Sequence, residues 1–327
     1  MIEVEGADGL DVSPRETPFA RLMNRGIEEL SSLKEQGNAS WLLWLKSAGV
    51  SSPWVPPRDF AELYLDLDED DSNGKGDSGQ FVDLSQETLD DLILAVAALR
   101  ERSEGTEDLS DLEWRLSREV YAGYVSLLDI QLGKLLDAIE NLFADEPLLL
   151  IVTAAEGEAL GTESLVPKGC ARLCDEIVHT PLLCRLPGAE TKGRSQDLVQ
   201  TVDLVPTLME WFGISADSLP TEGRSVLPIL RNEERSPREY ICLGAGDGSC
   251  GILTPELYFI RTEQEIEGFN EVKSCLFVKP DDVWDIHNLA EQSPEDVAVL
   301  SATLDAFLEG ARSKCPMEIP QLTEAVK

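Results

Sequence analysis

The sequence predicts an α/β protein: a mostly parallel sheet flanked by helices, followed by a small C-terminal α+β subdomain. Three observations predict it. Short unbroken apolar runs, WLLWL (Trp41–Leu45), LLLIV (Leu148–Val152) and PLLCRLP (Pro181–Pro187), alternate with longer segments whose apolar residues recur every three or four positions. Strands alternating with helices in this way build parallel sheets covered on both faces. Beyond Thr221 the rhythm changes to closely spaced strand-like runs, which points to an antiparallel appendage. The expected division is therefore a core over residues 1–220 and a subdomain over 221–327.

The elements follow in order. Pro18 to about Lys34 carries Phe19, Leu22, Met23, Ile27, Leu30 and Leu33 at helical spacing, and Gly37-Asn38 ends it. WLLWL reads as a buried strand. The prolines of SSPWVPP force an extended loop after it. EDDSNGKGDSGQ, Glu69–Gln80, is a surface loop by composition; it half resembles a calcium loop, but its last position is Gln80 and not the bidentate Glu. Ser85 to Arg100 is a helix. Ser110 and Glu113 form a capping box that opens the longest helix, running to about Phe143, with Leu116, Val120, Tyr124, Leu128, Leu135, Ile139 and Leu142 on its core face. Thr201–Gly213 is a helix with Pro206 in its first turn, Gly213 at its end and Asp203 as its N-cap. YICLGAGDG, LYFIRTE and SCLFVKPDDVWDI read as short strands, and a last helix spans Pro294 to about Gly310. Lys279-Pro280-Asp281-Asp282 reads as a turn whose two aspartates face a stray cation at most.

Composition bounds the function. With 62 acidic against 27 basic residues the net charge is −35, which repels phosphate backbones and anionic lipid; no nucleic-acid or membrane partner is expected. The start MIEVEGADGL has no basic or apolar leader pattern, and no apolar run approaches the ~20 residues that span a bilayer. Seven cysteines, an odd number in a large chain, fit reduced thiols in a cytoplasm better than a disulfide framework. Cys170 and Cys174 lack the second pair a zinc site needs.

The chemistry-bearing stretch is LLLIVTAAEGEALG, Leu148–Gly161. An apolar strand delivers a small-residue turn holding Glu156 and Glu158, the only weak candidates for a metal site; the bland alternative is a solvated pair on a loop. Together with the GVSSPWVPP loop, the long helix SREVYAGYVSLLDIQLGKLLDAI, LCDEIVHTPLLCRLPG, TVDLVPTLMEWFGI, EGRSVLPIL and the tail SCLFVKPDDVWDIHNLAEQSPE, it resembles the sulfatase family of the alkaline-phosphatase superfamily, from roughly Phe19 to Phe307.

That resemblance implies parts that can be sought here. The family's formylglycine arises in a C/S-x-P-x-R signature; the nearest approach, Ser218-Leu219-Pro220-Thr221-Glu222, has Glu where Arg is required. The family's first strand, with its paired metal-binding aspartates, would precede Met1. Its S-D-H/N-G turn falls on Ala154, Ala155, Glu156 and Gly157, so a methyl replaces the Asp and a carboxylate the His or Asn. Ser51 and Ser52 stand where the PW loop usually holds a sulfate-binding His. A Lys usually precedes the segment matching Cys174-Asp175-Glu176, and Arg172 is no clear substitute. His179 falls at a strand start, His287 at the tail helix entry, and Asp129 at a structural polar contact. A sulfate ester needs cations and a proton donor to stabilise its leaving oxygen, and two glutamates would repel it.

The expectation is a catalytically inactive pseudoenzyme with a binding or assembly role, with no catalytic residue and no cofactor; calcium or magnesium would bind only an intact site. The rivals are a divergent hydrolase of sulfuric or phosphoric esters, completed by an upstream segment or a partner chain, and an acidic interaction domain. Strand edges exposed by a missing first strand lead to the expectation of a homo-oligomer or a sulfatase-family partner.

Overall fold

The computed structural model describes residues 8–37, 40–47, 54–65, 86–101, 111–160, 173–188, 193–215, 222–233, 238–262, 274–312 and 321–322. The chain divides into two compact units, Met1–Glu146 and Pro147–Lys327.

The first unit is helical and is organised by α4 (Asp111–Phe143). Its buried side chains Leu116, Val120, Tyr124, Leu127, Gln131, Leu135, Ile139 and Phe143 keep one stripe along the helix. Helices α1 (Pro18–Gln36), α2 (Arg58–Ala61) and α3 (Gln86–Glu101) pack on it. Thr17 caps α1, its Oγ1 accepting from the Ala20 amide at 3.3 Å, with Pro18 in the first helical turn. Gly123 lets α2 lie directly on α4, because a Cβ there would run into the Phe60 carbonyl oxygen. Arg58 ties α2 to α3, donating to Asp90 Oδ2 at 2.7 Å. Gln131 is buried within α4 and donates to the Pro14 carbonyl oxygen at 3.1 Å, while Lys134 donates to its Oε1 at 2.8 Å. Tyr124 donates to Asp8, and burial raises the pKa of both groups.

WLLWL is not the buried strand its apolar run suggests. Trp41, Leu43 and Leu45 are half-buried, whereas Leu42 and Trp44 are exposed. The segment is extended and lays alternate side chains on the helices: Trp41 meets Phe143, with ring centroids 5.4 Å apart, and Leu45 packs where α1 offers only Gly26.

The second unit holds the strands, and the α/β class stands. The pairing differs from the expected parallel one: every strand pair among the described residues is antiparallel. Strand β1 (Leu150–Thr153) pairs with β2 (Leu182–Arg185), Ile151 opposite Cys184. Between them the described residues include only the four-residue helix α5 (Asp175–Val178), not the long crossover helix that a parallel pair uses. After a 3-10 turn at Thr201–Asp203 come α6 (Leu204–Trp211) and α7 (Leu227–Leu230). Gly213 ends α6 with φ +67°, as its C-terminal placement predicts.

Strands β3 (Ile241–Gly244), β4 (Ser249–Leu253), β5 (Leu257–Thr262) and β6 (Ser274–Val278) form an antiparallel sheet in that order. One face packs Cys250, Ile252, Phe259 and Leu276 against Leu300 and Leu304 of α8 (Pro294–Arg312). The other packs Tyr258, Ile260, Cys275 and Phe277 against Leu173 and Cys174. This antiparallel sheet and α8 belong to the same compact unit as β1 and β2, which begins at Pro147. The cysteines at 174, 184, 242, 250 and 275 are free thiols. No helix among the described residues is long and apolar enough to cross a membrane.

Candidate functional site

The turn after β1 is the first place to look. Ala155 and Glu156 are exposed, Glu158 is half-buried, and Ala159 is buried and anchors the segment. The turn is clamped to α5. The Gly157 amide donates to the Ile177 carbonyl oxygen at 2.7 Å, and the Leu160 amide to Glu176 Oε2 at 3.2 Å. Only glycine fits at 157, since a Cβ would collide with the Glu176 carbonyl oxygen. A hard divalent cation takes six to eight oxygen ligands. Here one glutamate points into solvent, and no group of three His, Cys, Asp or Glu side chains able to hold a metal comes together among the described residues. The side chains of the turn do not fit calcium or magnesium.

Beyond α5 lies a charged cluster that sequence reasoning did not anticipate. Lys279, 8% exposed at its side chain, places Nζ 2.7 Å from Asp285 Oδ1 and 3.4 Å from Asp175 Oδ1, and donates to the Asp282 carbonyl oxygen at 2.8 Å. The Tyr258 ring centroid lies 5.8 Å from the same nitrogen. Asp285 Oδ2 accepts from the Asp175 amide at 2.6 Å. Burial pushes Asp285 up against the pull of Lys279. Burial pushes Asp175 the same way, but the His179 hydrogen bond and the Lys279 charge outweigh it and leave it below its ordinary value. The cluster pins α5 to the turn after β6. The signal that would have found it is a lysine closing a strand as apolar as SCLFV.

Other expected residues move accordingly. His179 ends α5 instead of starting a strand, and it lies 3.2 Å from Asp175 Oδ2 in solvent; that hydrogen bond raises its pKa. His287 is exposed in coil, since α8 begins only at Pro294. The carboxylate of Asp282 is taken by the amides of Ile286 and His287, at 3.0 and 2.8 Å, so no cation is needed there. Asp129 stands exposed on α4 and not at the polar contact the resemblance implies. Asp203 does not cap α6 with its side chain. It is buried, accepts from the Gln200 and Arg224 amides at 2.8 Å each, and meets Arg238 Nη2 at 2.6 Å. Burial works against its charge, and the Arg238 guanidinium overcomes that and holds the carboxyl below its ordinary value. Ser51, Ser52, the Glu69–Gln80 loop, Cys170, Arg172 and Ser218 lie outside the described residues.

Comparison with known proteins bears on this arrangement. A family model described as Sulfatase matches residues 12–214, more than half of the chain. Choline-sulfatase of Rhizobium meliloti (strain 1021) is 24% identical over 294 residues, 88% of this chain and 54% of that protein. Arylsulfatase A of Homo sapiens is 28% identical over 131 residues, 38% of this chain and 26% of that protein. The crystal structure of phosphonate monoester hydrolase of Agrobacterium radiobacter superposes with a TM-score of 0.62 at 18% identity, over 94% of this chain and 63% of that one. At that identity the likeness speaks to the fold alone. The chain spans about half the length, or less, of the curated relatives it matches.

Proposed function

The chain belongs to the sulfatase family, and from that premise we propose that residues 1–327 are a non-hydrolytic member whose role is binding or assembly. One observation carries the reading. The turn that the resemblance aligns with metal ligands presents the Ala155 methyl and the exposed Glu156. Neither polarises an anionic ester: a methyl donates nothing, and a carboxylate repels the substrate. The charged groups nearby support the same reading, because Lys279 is spent on Asp175 and Asp285. The five free thiols among the described residues support a reducing, cytoplasmic setting.

The rival is a hydrolase of sulfuric or phosphoric esters whose nucleophile and cation cage lie outside residues 1–327. It is favoured by the coverage, 54% of the choline-sulfatase and 63% of the phosphonate monoester hydrolase. The test incubates the purified chain with p-nitrophenyl sulfate, phosphate and phenylphosphonate esters, with calcium or magnesium present. No turnover is expected. Turnover abolished by Glu156→Gln would overturn the reading, and an in-frame C-x-P-x-R in the DNA upstream of Met1 would favour the rival.

A further inference from the structure

The turn that follows β6, within the second unit, is held firmly and yet presents its apolar side chains to solvent. Asp282 organises it. Its carboxylate accepts from the amides of Ile286 and His287, its carbonyl oxygen accepts from Lys279 Nζ at 2.8 Å, and its own amide donates to the Val278 carbonyl oxygen at 2.9 Å. Asp285 is fully buried, takes φ +54° and accepts from the Asp175 amide. On either side of it Trp284 and Ile286 are exposed, Trp284 by 53%. Val278, Pro280 and Val283 are exposed on the same turn. Pro255 is exposed on the neighbouring one, which the Lys279 amide joins by donating to the Glu256 carbonyl oxygen at 2.8 Å. Isolated exposed apolar residues are ordinary. A tryptophan grouped with valine, isoleucine and proline at one end of a sheet has the make-up of a binding hot spot. Its backbone is already fixed, so a partner pays little to order it.

The surroundings say what fits there. Asp281 and Glu256 directly follow Pro280 and Pro255, both are exposed, and among the described residues neither carboxylate has a partner. From Ser274 to Ala311 the one Lys or Arg is Lys279, buried between Asp175 and Asp285, and from Glu239 to Ile260 there is none. A second copy of this face would set carboxylate against carboxylate with no cation to offset them. Anionic lipid is repelled in the same way. Main-chain pairing is not on offer either. The amides of Lys279, Asp282, Ile286 and His287 are already bonded. The outer side of β6 is occupied at Leu276, whose carbonyl oxygen accepts from the Leu289 amide at 2.8 Å and whose amide donates to Asn288 Oδ1 at 3.0 Å. What remains to be recognised is side chains: an apolar face with an acidic rim. The element that presents apolar and basic side chains together from one regular backbone is an amphipathic helix.

We propose that the surface around Trp284 docks a basic amphipathic helix of a second polypeptide, with Trp284 against its apolar face and Asp281 and Glu256 against its lysines or arginines. The inference names the class of partner for the binding role proposed above and rests on that reading.

The test uses the full chain and three labelled probe peptides: the basic amphipathic LKKLLKLLKKLLKL, the proline-interrupted LKKLLKLPKKLLKL and the acidic LEELLELLEELLEL. Fluorescence anisotropy reads binding. The first probe is expected to bind at least about tenfold tighter than either control, and less tightly as salt rises. Trp284→Ala is expected to weaken it by about tenfold or more, and Asp281→Asn by about twofold to threefold. Trp44→Ala removes an equally exposed tryptophan from the other unit and leaves binding unchanged. That contrast separates docking at this surface from general attraction to a chain of charge −35. Equal binding of the first two probes, or binding indifferent to Trp284→Ala, overturns the inference. So does a chain that sediments as a dimer and that Trp284→Ala renders monomeric, because a second copy then covers the face. Ester turnover is assayed on the same preparation. Failure to bind without turnover sinks only the docking surface, whereas turnover sinks the non-hydrolytic reading.

Discussion

The Lys279 ammonium stands 2.7 Å from the Asp285 carboxylate, with both side chains buried and Asp175 completing the cluster. Such a group is sensitive to the loss of Lys279, because the fully buried Asp285 carboxylate then stays in a low-dielectric setting without its cation. Lys279→Met is expected to cost about 3–5 kcal/mol. The double variant Lys279→Met/Asp285→Asn loses less than Lys279→Met alone, since the orphaned carboxylate is gone. Urea midpoints at unchanged slope read both values. A single-variant loss under about 1 kcal/mol means that the cluster is a surface pairing in solution.

Acid should attack the second unit through Asp175 and Asp203. Both have folded pKa values below the ordinary 3.8, so the stability they contribute is present above that value and lost as pH falls through the folded one. Asp203→Asn is expected to lower stability at neutral pH by about 3 kcal/mol, because the buried Arg238 guanidinium loses the carboxylate that meets both of its terminal nitrogens, and to flatten the decline below pH 3.8. His179 works in the opposite sense. Its raised pKa gives a contribution complete below 6.5 that is lost as pH rises through its folded value. The His179 side chain is exposed, so that contribution is small. Denaturation midpoints across the pH range check both slopes, and an acid limb equally steep in Asp203→Asn refutes the assignment.

Two glycines of α4 should respond to alanine with opposite sign. A Cβ at Gly123 meets the Phe60 carbonyl oxygen of α2, and one at Gly133 meets nothing within 4 Å. Gly123→Ala is expected to cost about 1–3 kcal/mol by forcing the helices apart. Gly133→Ala is expected to gain about 0.5–1 kcal/mol from helix propensity alone. Thermal midpoints compared side by side decide it, and two shifts of the same sign contradict the α2–α4 contact.

How far the sequence carried depended on how many cues agreed. Helices α1 and α4 were legible because capping residues, terminators and apolar spacing all pointed to one answer. Strand β4 was not, because Ser249, Cys250 and Gly251 look like turn residues; the strand is recognisable only by burial, with Tyr258 lying against Gly251 where a larger residue would clash. The aliphatic run at β1 signalled strand but not pairing partner, since a continuous apolar pattern records intended cover and not which neighbour supplies it. The family was legible from the order of several modest motifs. The charged clusters were not, because Lys279 meets Asp175 and Arg238 meets Asp203 across 104 and 35 positions, distances over which no local spacing rule operates.

The segment Trp41–Leu45 separates the two readings of an apolar run most cleanly. A buried strand would make both tryptophans costly to remove. The observed alternation makes them unequal, since Trp41 packs on Phe143 while Trp44 is 53% exposed. Trp44→Ala is expected to change stability by no more than about 0.5 kcal/mol, as surface substitutions do. Trp41→Ala is expected to cost about 2 kcal/mol, combining lost apolar burial with a lost aromatic pair. Tryptophan fluorescence quenching by acrylamide adds an independent reading, because Trp41→Ala removes a protected indole and Trp44→Ala an accessible one. Equal losses in the two variants restore the buried strand and put the alternation of this segment in error.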